Sequence, residues 1–302
     1  MFIHKSRQLI ISLSVAVLVL LAGTTAAAQR VTAPADDLAD VAKTYQIEIV
    51  TVAPVFPVPT DYGAIDGQRA EPKQLENYTP LFRAEFTLYP TSFVKRSQLK
   101  RVVLCTELYF AGQRRNAVPD FAHDTLYLDV ARGAYDRTYL RKVMHHEFFH
   151  IIDYRDDGEL YSDERWSALN APGFKYGTGG RNAQGQPTTS LPTDQFPGFL
   201  NHYSTTGVEE DKAELFAFLM VDYWFVQERI KRDGVLGQKV KMLKDLLKSF
   251  CPDMNDELWN KISKRQQSLA PRAGGGYIAG FFPLPLTPAG KPHYQSAERT
   301  MA

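Results

Sequence analysis

Residues 144–154 have the sequence MHHEFFHIIDY, and the motif His146-Glu147-x-x-His150 within them decides how the rest of the chain is interpreted. On a helix, residues four apart lie on one face, so both imidazoles can reach a single ion. Zinc suits such a pair, because a catalytic zinc takes three protein ligands and keeps one position open. Glu147 lies about 100° round the helix from His146 and can serve as a general base toward a water molecule. The motif therefore predicts two zinc ligands and a base.

The sequence around the motif predicts the helix that this chemistry needs. Asp136 is a suitable cap for its start. Residues at helical spacing follow the cap, namely Tyr139, Leu140, Val143, Glu147 and Ile151. The alternative is a buried helix whose two histidines are satisfied by hydrogen bonds. An apolar helix has no packing reason to carry two histidines and a glutamate, so we favour the metal site.

The first 28 residues are typical of a signal peptide. A basic start precedes an apolar run from Leu9 to Leu21, and residues 26–28 supply three alanines for cleavage. The run is too short for a good membrane span. We therefore expect a secreted or periplasmic protein with no stable membrane span after cleavage. In that setting Cys105 and Cys251 can form a disulfide or remain two buried thiols, and the sequence favours neither.

Composition excludes several classes of partner. The chain has 302 residues, of which 44% are hydrophobic and 23% charged, and its formal net charge is +1. This balance supplies no basic surface for nucleic acid and no cationic excess for an anionic membrane. The chain is long enough for one large domain or a compact pair of domains, with an ample core. The oligomeric state is not predicted.

Periodicity predicts a mixed α+β domain over residues 29–267, followed by a Gly/Pro-rich tail over 268–302. Predicted strands cover 46–55, 101–109 and 124–130, and predicted helices cover 91–99, 208–229, 236–249 and 255–265. The strand 124–130 is expected to be half-buried, because apolar and polar residues alternate along it. Residues 78–88 are ambiguous between the two kinds of structure.

A long irregular stretch rich in glycine and proline runs from about residue 156 to 207. A loop of this length inside a domain is usually functional or disordered. We expect it to form a wall of the cleft. Its aromatic residues either line that wall or simply pack the loop, and the sequence does not choose between the two; they are Trp166, Phe174, Tyr176 and Phe199.

A zinc site needs a third ligand, and the sequence offers a local and a distant candidate. Asp153 or Asp156 could ligate as in the metzincin pattern, but Asp153 stands where a glycine would let the chain turn. The distant candidate is Glu210, which shares a helix face with Glu214 four residues later. One of these carboxylates can bind zinc while the other accepts the proton of a ligand histidine. The rivals of Glu210 are Glu209 and His202.

The combined pattern resembles the gluzincin metallopeptidases, in which His-Glu-x-x-His is followed downstream by two acids four apart, with an alanine before the second. The resemblance implies that His146, His150 and Glu210 bind one zinc ion, that Glu147 is the general base, and that Glu214 orients a ligand histidine. The gap between His150 and Glu210 is longer than in most gluzincins.

A further resemblance is to the catalytic domain of anthrax lethal factor, because Tyr203 lies seven residues before Glu210. In that family the tyrosine hydroxyl faces the oxygen at the metal. The resemblance implies a zincin-like fold, with a small mixed sheet, an active-site helix and a helical C-terminal half. It also implies a peptidase, more an endopeptidase than an exopeptidase, that binds a peptide or protein substrate along strand 124–130 as the sheet edge. An inert zinc-binding or structural protein and a hydrolase of non-peptide amides are the alternatives.

Overall fold

The structure is a computed structural model that describes residues 35–52, 56–180 and 191–269. The predicted signal peptide lies outside these ranges, and so does the predicted tail except for Ser268 and Leu269, which end the last helix. No helix within the described ranges combines the length and the apolar character that crossing a membrane requires.

The strands fall in the first half of the chain and most of the long helices in the second, as predicted for the α+β class. In the first half the elements are α1 (Ala35–Tyr45), β1 (Glu48–Val50), β2 (Val58–Thr60), β3 (Gly63–Arg69), α2 (Pro72–Phe86), α3 (Thr91–Arg96), β4 (Arg101–Phe110), β5 (Gln113–Arg114), β6 (Ala117–Asp120) and β7 (Thr125–Asp129). In the second half they are α4 (Arg137–Asp157), α5 (Glu164–Ser167), a 3-10 turn (Tyr203–Thr205), α6 (Val208–Val221), α7 (Tyr223–Ile230), α8 (Gly234–Phe250) and α9 (Asp256–Leu269).

The strands form one mixed sheet around β4. Five of them follow the order β2-β3-β4-β7-β6, and β1 and β5 pair with β4 as well. β4 runs parallel to β1 and β7, whereas β3 and β5 are antiparallel to it. The sequence predicts β4 almost to the residue, but it does not predict the short strands β2, β3, β5 and β6.

Strand β7 differs from the prediction in two ways. It is not a sheet edge, because β6 pairs antiparallel with its outer side, with Ala117 opposite Leu128. It is also buried along its whole length rather than on one face. The cause is a small second core on the other face of the sheet, where Tyr127 packs against Val103 and Val118. The Asp129 carboxylate is buried there because it accepts backbone hydrogen bonds, one of them from Leu108 N at 3.2 Å.

The helix predicted over 208–229 is interrupted at Asp222, where the backbone leaves the helical region (φ −140°, ψ 52°). The side chain of Gln266 explains the break. Its Oε1 accepts from Tyr223 N at 2.5 Å, and its Nε2 donates to Met220 O at 2.8 Å. A side chain from α9 thus replaces helical hydrogen bonds between α6 and α7.

The main hydrophobic core lies between the sheet and the helices, where α4 packs along α6. Cys251 belongs to this core, whereas Cys105 belongs to the smaller core on the other face of the sheet. Both thiols are free and buried. Of the two alternatives left open by the sequence, the structure has the two buried thiols.

Candidate metal centre

The predicted motif lies in the middle of α4. The helix begins as predicted, with the Asp136 side chain accepting from Tyr139 N at 3.0 Å. It ends at Gly158, whose left-handed backbone (φ 86°) donates from its N–H to Tyr154 O at 2.9 Å. Both histidines of the motif are buried on the side of the helix that faces α6.

Three potential ligand atoms converge between α4 and α6. His146 Nε2 lies 3.1 Å from His150 Nε2 and 2.9 Å from Glu210 Oε2, and His150 Nε2 lies 3.6 Å from the same carboxylate oxygen. A tetrahedral zinc ion with ligand bonds of 2.0–2.1 Å would separate its ligands by about 3.3 Å. The three observed separations lie on either side of that value, so the cluster fits a single zinc ion.

Glu214 lies directly behind His146. Its Oε1 is 2.8 Å from His146 Nδ1, and its Oε2 accepts a hydrogen bond from Asn201 Nδ2 at 2.6 Å. A carboxylate on the far nitrogen fixes the orientation of an imidazole and makes it a stronger ligand. This is the position that the four-residue spacing from Glu210 predicts.

The charges of the cluster reinforce one another. Burial opposes ionisation of Glu210, but hydrogen bonds and charge interactions with His146 and His150 outweigh it and lower its pKa. Burial likewise disfavours the charged form of His146, yet the carboxylates of Glu210 and Glu214 raise its pKa well above the usual value. An array of this kind suits a cation between the two helices.

Tyr203 contacts the cluster from the 3-10 turn before α6. Its hydroxyl donates to Glu210 Oε1 at 3.1 Å, which is the carboxylate oxygen that does not contact the histidines. Its ring centre is 5.8 Å from that of His146. Burial and the charge of Glu210 raise the pKa of Tyr203, so the hydroxyl stays protonated.

Glu147, the predicted base, follows His146 on α4 and is half-buried. Burial raises its pKa, whereas the charges of His146 and His150 lower it, and the net shift is upward. A carboxyl group with a raised pKa next to a histidine of the candidate site suits proton transfer near neutral pH.

No protein-family model matches the sequence, and no curated protein matches it either. The structure is similar to the crystal structure of a Bacteroides caccae protein that is provisionally named a zinc-binding metallo-peptidase, with a TM-score of 0.50 and 18% sequence identity. The similarity covers 77% of this chain and 90% of that one.

The chain shares the fold of that Bacteroides caccae protein. The α+β class, the small mixed sheet and the helical C-terminal half are confirmed by this similarity. At such low identity the similarity concerns the fold alone.

The fold does not bring the local third-ligand candidates to the cluster. α4 continues through Asp153, whose carboxylate pairs with the buried Lys212 ammonium at 2.8 Å. Asp156 lies one turn further on and is exposed. Because the helix does not turn until Gly158, neither aspartate joins the group of ligand atoms that the two histidines form with Glu210.

Neither distant rival joins the cluster. The Glu209 carboxylate folds back against Gly207, and His202 packs edge-on against the Phe196 ring at a centre distance of 5.5 Å. Among the described residues, one group of three or more histidine, cysteine or acidic side chains has its ligand atoms close enough together to hold one ion. That group is His146, His150 and Glu210.

The aromatic residues of the long loop pack the loop rather than line an open cleft. Trp166 and Phe199 are fully buried, and Phe174 packs at a tilt against Phe199 with ring centres 4.6 Å apart. The residue that organises them is Asp211, which the sequence analysis missed. Its Oδ2 accepts from Trp166 Nε1 at 2.8 Å and from Tyr176 at 2.7 Å.

The partner that balances the charge of Asp211 is Lys239 of α8, fully buried at 2.7 Å from the same oxygen. The sequence shows that an aspartate follows the predicted ligand Glu210, but not that this aspartate is buried. Its lysine lies on another helix at no regular spacing, so no local pattern identifies the pair.

His145 forms a second group of contacts that the sequence analysis missed. It lies behind the motif, with Nε2 3.1 Å from Glu85 Oε2 and Nδ1 in contact with the Tyr89 hydroxyl. The Glu85 carboxylate also binds Arg141 at 2.8 Å and Arg265 at 2.6 Å. Through the Glu85 carboxylate, the motif helix is tied both to α2 and to α9.

Proposed function

We propose that this chain is a zinc-dependent metallopeptidase of the gluzincin type. The observation that carries the proposal is the buried convergence of His146, His150 and Glu210 at separations that fit a zinc ion. The metallopeptidase fold supports it. The resemblance to the lethal factor catalytic domain rests on the position of Tyr203 and is part of the same proposal.

In this proposal each residue has a separate task. His146, His150 and Glu210 hold the ion, which when bound would polarise the scissile carbonyl and make water more acidic. Glu147 accepts a proton from the attacking water and passes it to the leaving amine.

Two further residues keep the site in shape. Glu214 holds the His146 ring so that Nε2 points into the cluster. Tyr203 donates a hydrogen bond to Glu210 Oε1, the oxygen that does not contact the histidines. Its protonated hydroxyl is also the donor that can stabilise the developing oxyanion.

The proposed substrate is a peptide or protein that an endopeptidase cleaves internally. Strand β6 lies next to α4, and among the described residues no strand pairs with its outer side. An extended peptide can add to such an edge through main-chain hydrogen bonds. The binding edge is therefore β6, in place of the strand 124–130 that the sequence predicts.

We further propose that the protein acts outside the cytoplasm, on the strength of the signal-peptide pattern in residues 1–28. N-terminal sequencing of the exported protein tests this part alone. Cleavage after Ala28 is the expected result, and an intact Met1 in a cytoplasmic fraction contradicts it.

The function is tested by metal analysis of the purified protein, followed by a casein and peptide-library assay with and without chelator. We expect about one zinc ion per chain and hydrolysis that chelation abolishes. Zinc without hydrolysis would instead support an inert zinc-binding protein or a hydrolase of other amides. A protein that binds no zinc contradicts the proposal.

A further inference from the structure

A short glycine-rich segment, which we name the strap, lies against the metal cluster. It comprises residues 176–180 (Tyr-Gly-Thr-Gly-Gly). The strap runs beside the 3-10 turn, with Gly177 N donating to Thr205 O at 3.0 Å and Gly179 N donating to Thr206 O at 2.7 Å. Its path is therefore set by backbone hydrogen bonds to the segment that carries Tyr203.

The first residue of the strap is also anchored to α6. The Tyr176 hydroxyl donates to Asp211 Oδ2 at 2.7 Å. Asp211 directly follows Glu210, and its oxygen is held by the buried Lys239. The strap thus contacts Asp211 through its first residue, Tyr176, and lies against Glu210 at its last residue, Gly180.

Gly180 lies directly on the Glu210 carboxylate. A Cβ atom at this position would be 2.0 Å from Glu210 Oε1 and 2.3 Å from the Tyr203 hydroxyl, closer than real Cβ atoms approach. Glu210 has little freedom to move away, because its other oxygen is 2.9 Å from His146 Nε2. Only glycine fits between the strap and the cluster.

Gly177, in the same strap, is in a different situation. A Cβ there would lie 3.4 Å from Thr206 Cα, which is ordinary van der Waals contact, and its backbone is not in the left-handed region. An alanine is therefore tolerated at Gly177 and not at Gly180. The two positions make a matched pair.

We propose that Gly180 is a positioning residue for the metal ligand Glu210. The Tyr203 hydroxyl and the Gly180 backbone together enclose Oε1, so that Oε2 alone is presented to the histidines. The carboxylate then binds the ion through one oxygen, at the place where the two imidazoles meet. This inference rests on the proposed zinc site and adds the strap to it.

The test compares Gly180→Ala with Gly177→Ala in the full-length protein. Zinc affinity is measured by competition with a chelator, and the unfolding temperature of each zinc-free protein is measured beside it. We expect Gly180→Ala to weaken zinc binding by about tenfold or more, in the range of other changes that disturb a ligand's support. Gly177→Ala should stay within twofold of wild type.

The outcomes distinguish a failure of the inference about Gly180 from a failure of the proposed zinc-dependent function. A Gly180→Ala protein that is less stable without zinc but binds zinc as wild type does would show a purely structural role and overturn the inference. In that case the proposed function stands. A wild-type protein that binds no zinc overturns both.

A second measurement needs no variant, in case Gly180→Ala does not fold. Hydrogen exchange of the wild-type strap is followed with and without zinc chloride, using α8 peptides as an internal reference. Fixing Glu210 fixes the surface on which the strap rests, so we expect exchange of the Gly177 and Gly179 amides to slow several-fold relative to that reference. Unchanged exchange in the zinc-loaded protein overturns the inference.

Discussion

The Nδ1 atom of His146 lies 2.8 Å from Glu214 Oε1, and this contact decides which nitrogen the ring presents to the cluster. Removing the carboxylate with Glu214→Ala should weaken zinc binding or activity by about 10–100-fold, because the ring loses its orienting partner. Chelator competition measures the affinity. Glu209→Ala, a change at the neighbouring glutamate that contacts neither histidine in this structure, is the control and should keep wild-type affinity. Equal affinities in the two variants would contradict the assigned role.

Glu210→Ala should strip the protein of zinc, because two imidazoles alone hold the ion poorly. Asp156→Ala and His202→Ala are the controls, since both side chains lie outside the cluster. Metal content after dialysis, determined by mass spectrometry, checks this. If Glu210→Ala keeps its full zinc content and one of the two controls loses zinc, the residue changed in that control is the third ligand. The gluzincin assignment would then be wrong.

Glu147→Gln should keep near-stoichiometric zinc and lose about 10²–10⁴-fold in turnover, because the ligands remain while proton transfer is lost. The variant is compared with wild type for metal content and for kcat on a peptide that the library assay identifies. Wild-type turnover in a zinc-loaded Glu147→Gln protein would rule out the mechanism.

Tyr203→Phe removes a hydroxyl that contacts Glu210 Oε1 and leaves the ring in place. If the hydroxyl also serves the oxyanion, kcat should fall by about 10²-fold while zinc affinity changes little. If it only holds Glu210, zinc affinity should fall instead and kcat of the loaded protein should stay near wild type. Titration of zinc beside steady-state kinetics separates the two results.

Glu85 should make stability depend on pH. Burial opposes its ionisation, but His145, Arg265 and Arg141 outweigh burial and lower its pKa. A group with a lowered pKa in the folded state stabilises it above the unfolded pKa, and that contribution is lost as the pH falls. Glu85→Gln should therefore cost about 3 kcal/mol near neutral pH, as loss of one partner of a buried ion pair does.

The difference between wild type and Glu85→Gln should shrink as the pH falls below the ordinary glutamate value. Urea unfolding of the zinc-free proteins between neutral and acidic pH measures it. Glu48→Gln, at an exposed ion pair with Arg101, is the matched control and should change stability little. A difference that stays constant with pH would show that the Glu85 carboxylate is not preferentially ionised in the folded protein.

The parts of the site that the sequence predicts are those that depend on one helix at a time. His146 and His150 share a face of α4, and Glu210 and Glu214 share a face of α6, because four residues make about one helical turn. The four-residue spacing within each pair predicts directly that its two side chains lie on one helix face. The spacing does not predict that the two faces contact each other. In the structure they do, with His146 Nε2 2.9 Å from Glu210 Oε2.

The parts that the sequence does not predict depend on contacts between distant segments. Gln266 interrupts the helix at Asp222 from another element, and strand β6 covers the side of β7 that the periodicity leaves open. Gly180 gives only a weak signal as well, since it is one of many glycines in its loop and its position against Glu210 depends on the fold. Local sequence patterns do not predict contacts between segments that are distant in the sequence.

The bond between Arg265 and Glu85 has a consequence for the order in which the protein matures. Arg265 lies near the end of the last described helix, while its partner supports His145, the neighbour of His146. A chain synthesised from its N-terminus completes this support only after Arg265 has been released. The motif helix therefore gains this support late in synthesis, and a protein shortened before Arg265 should fold with a motif helix that lacks it.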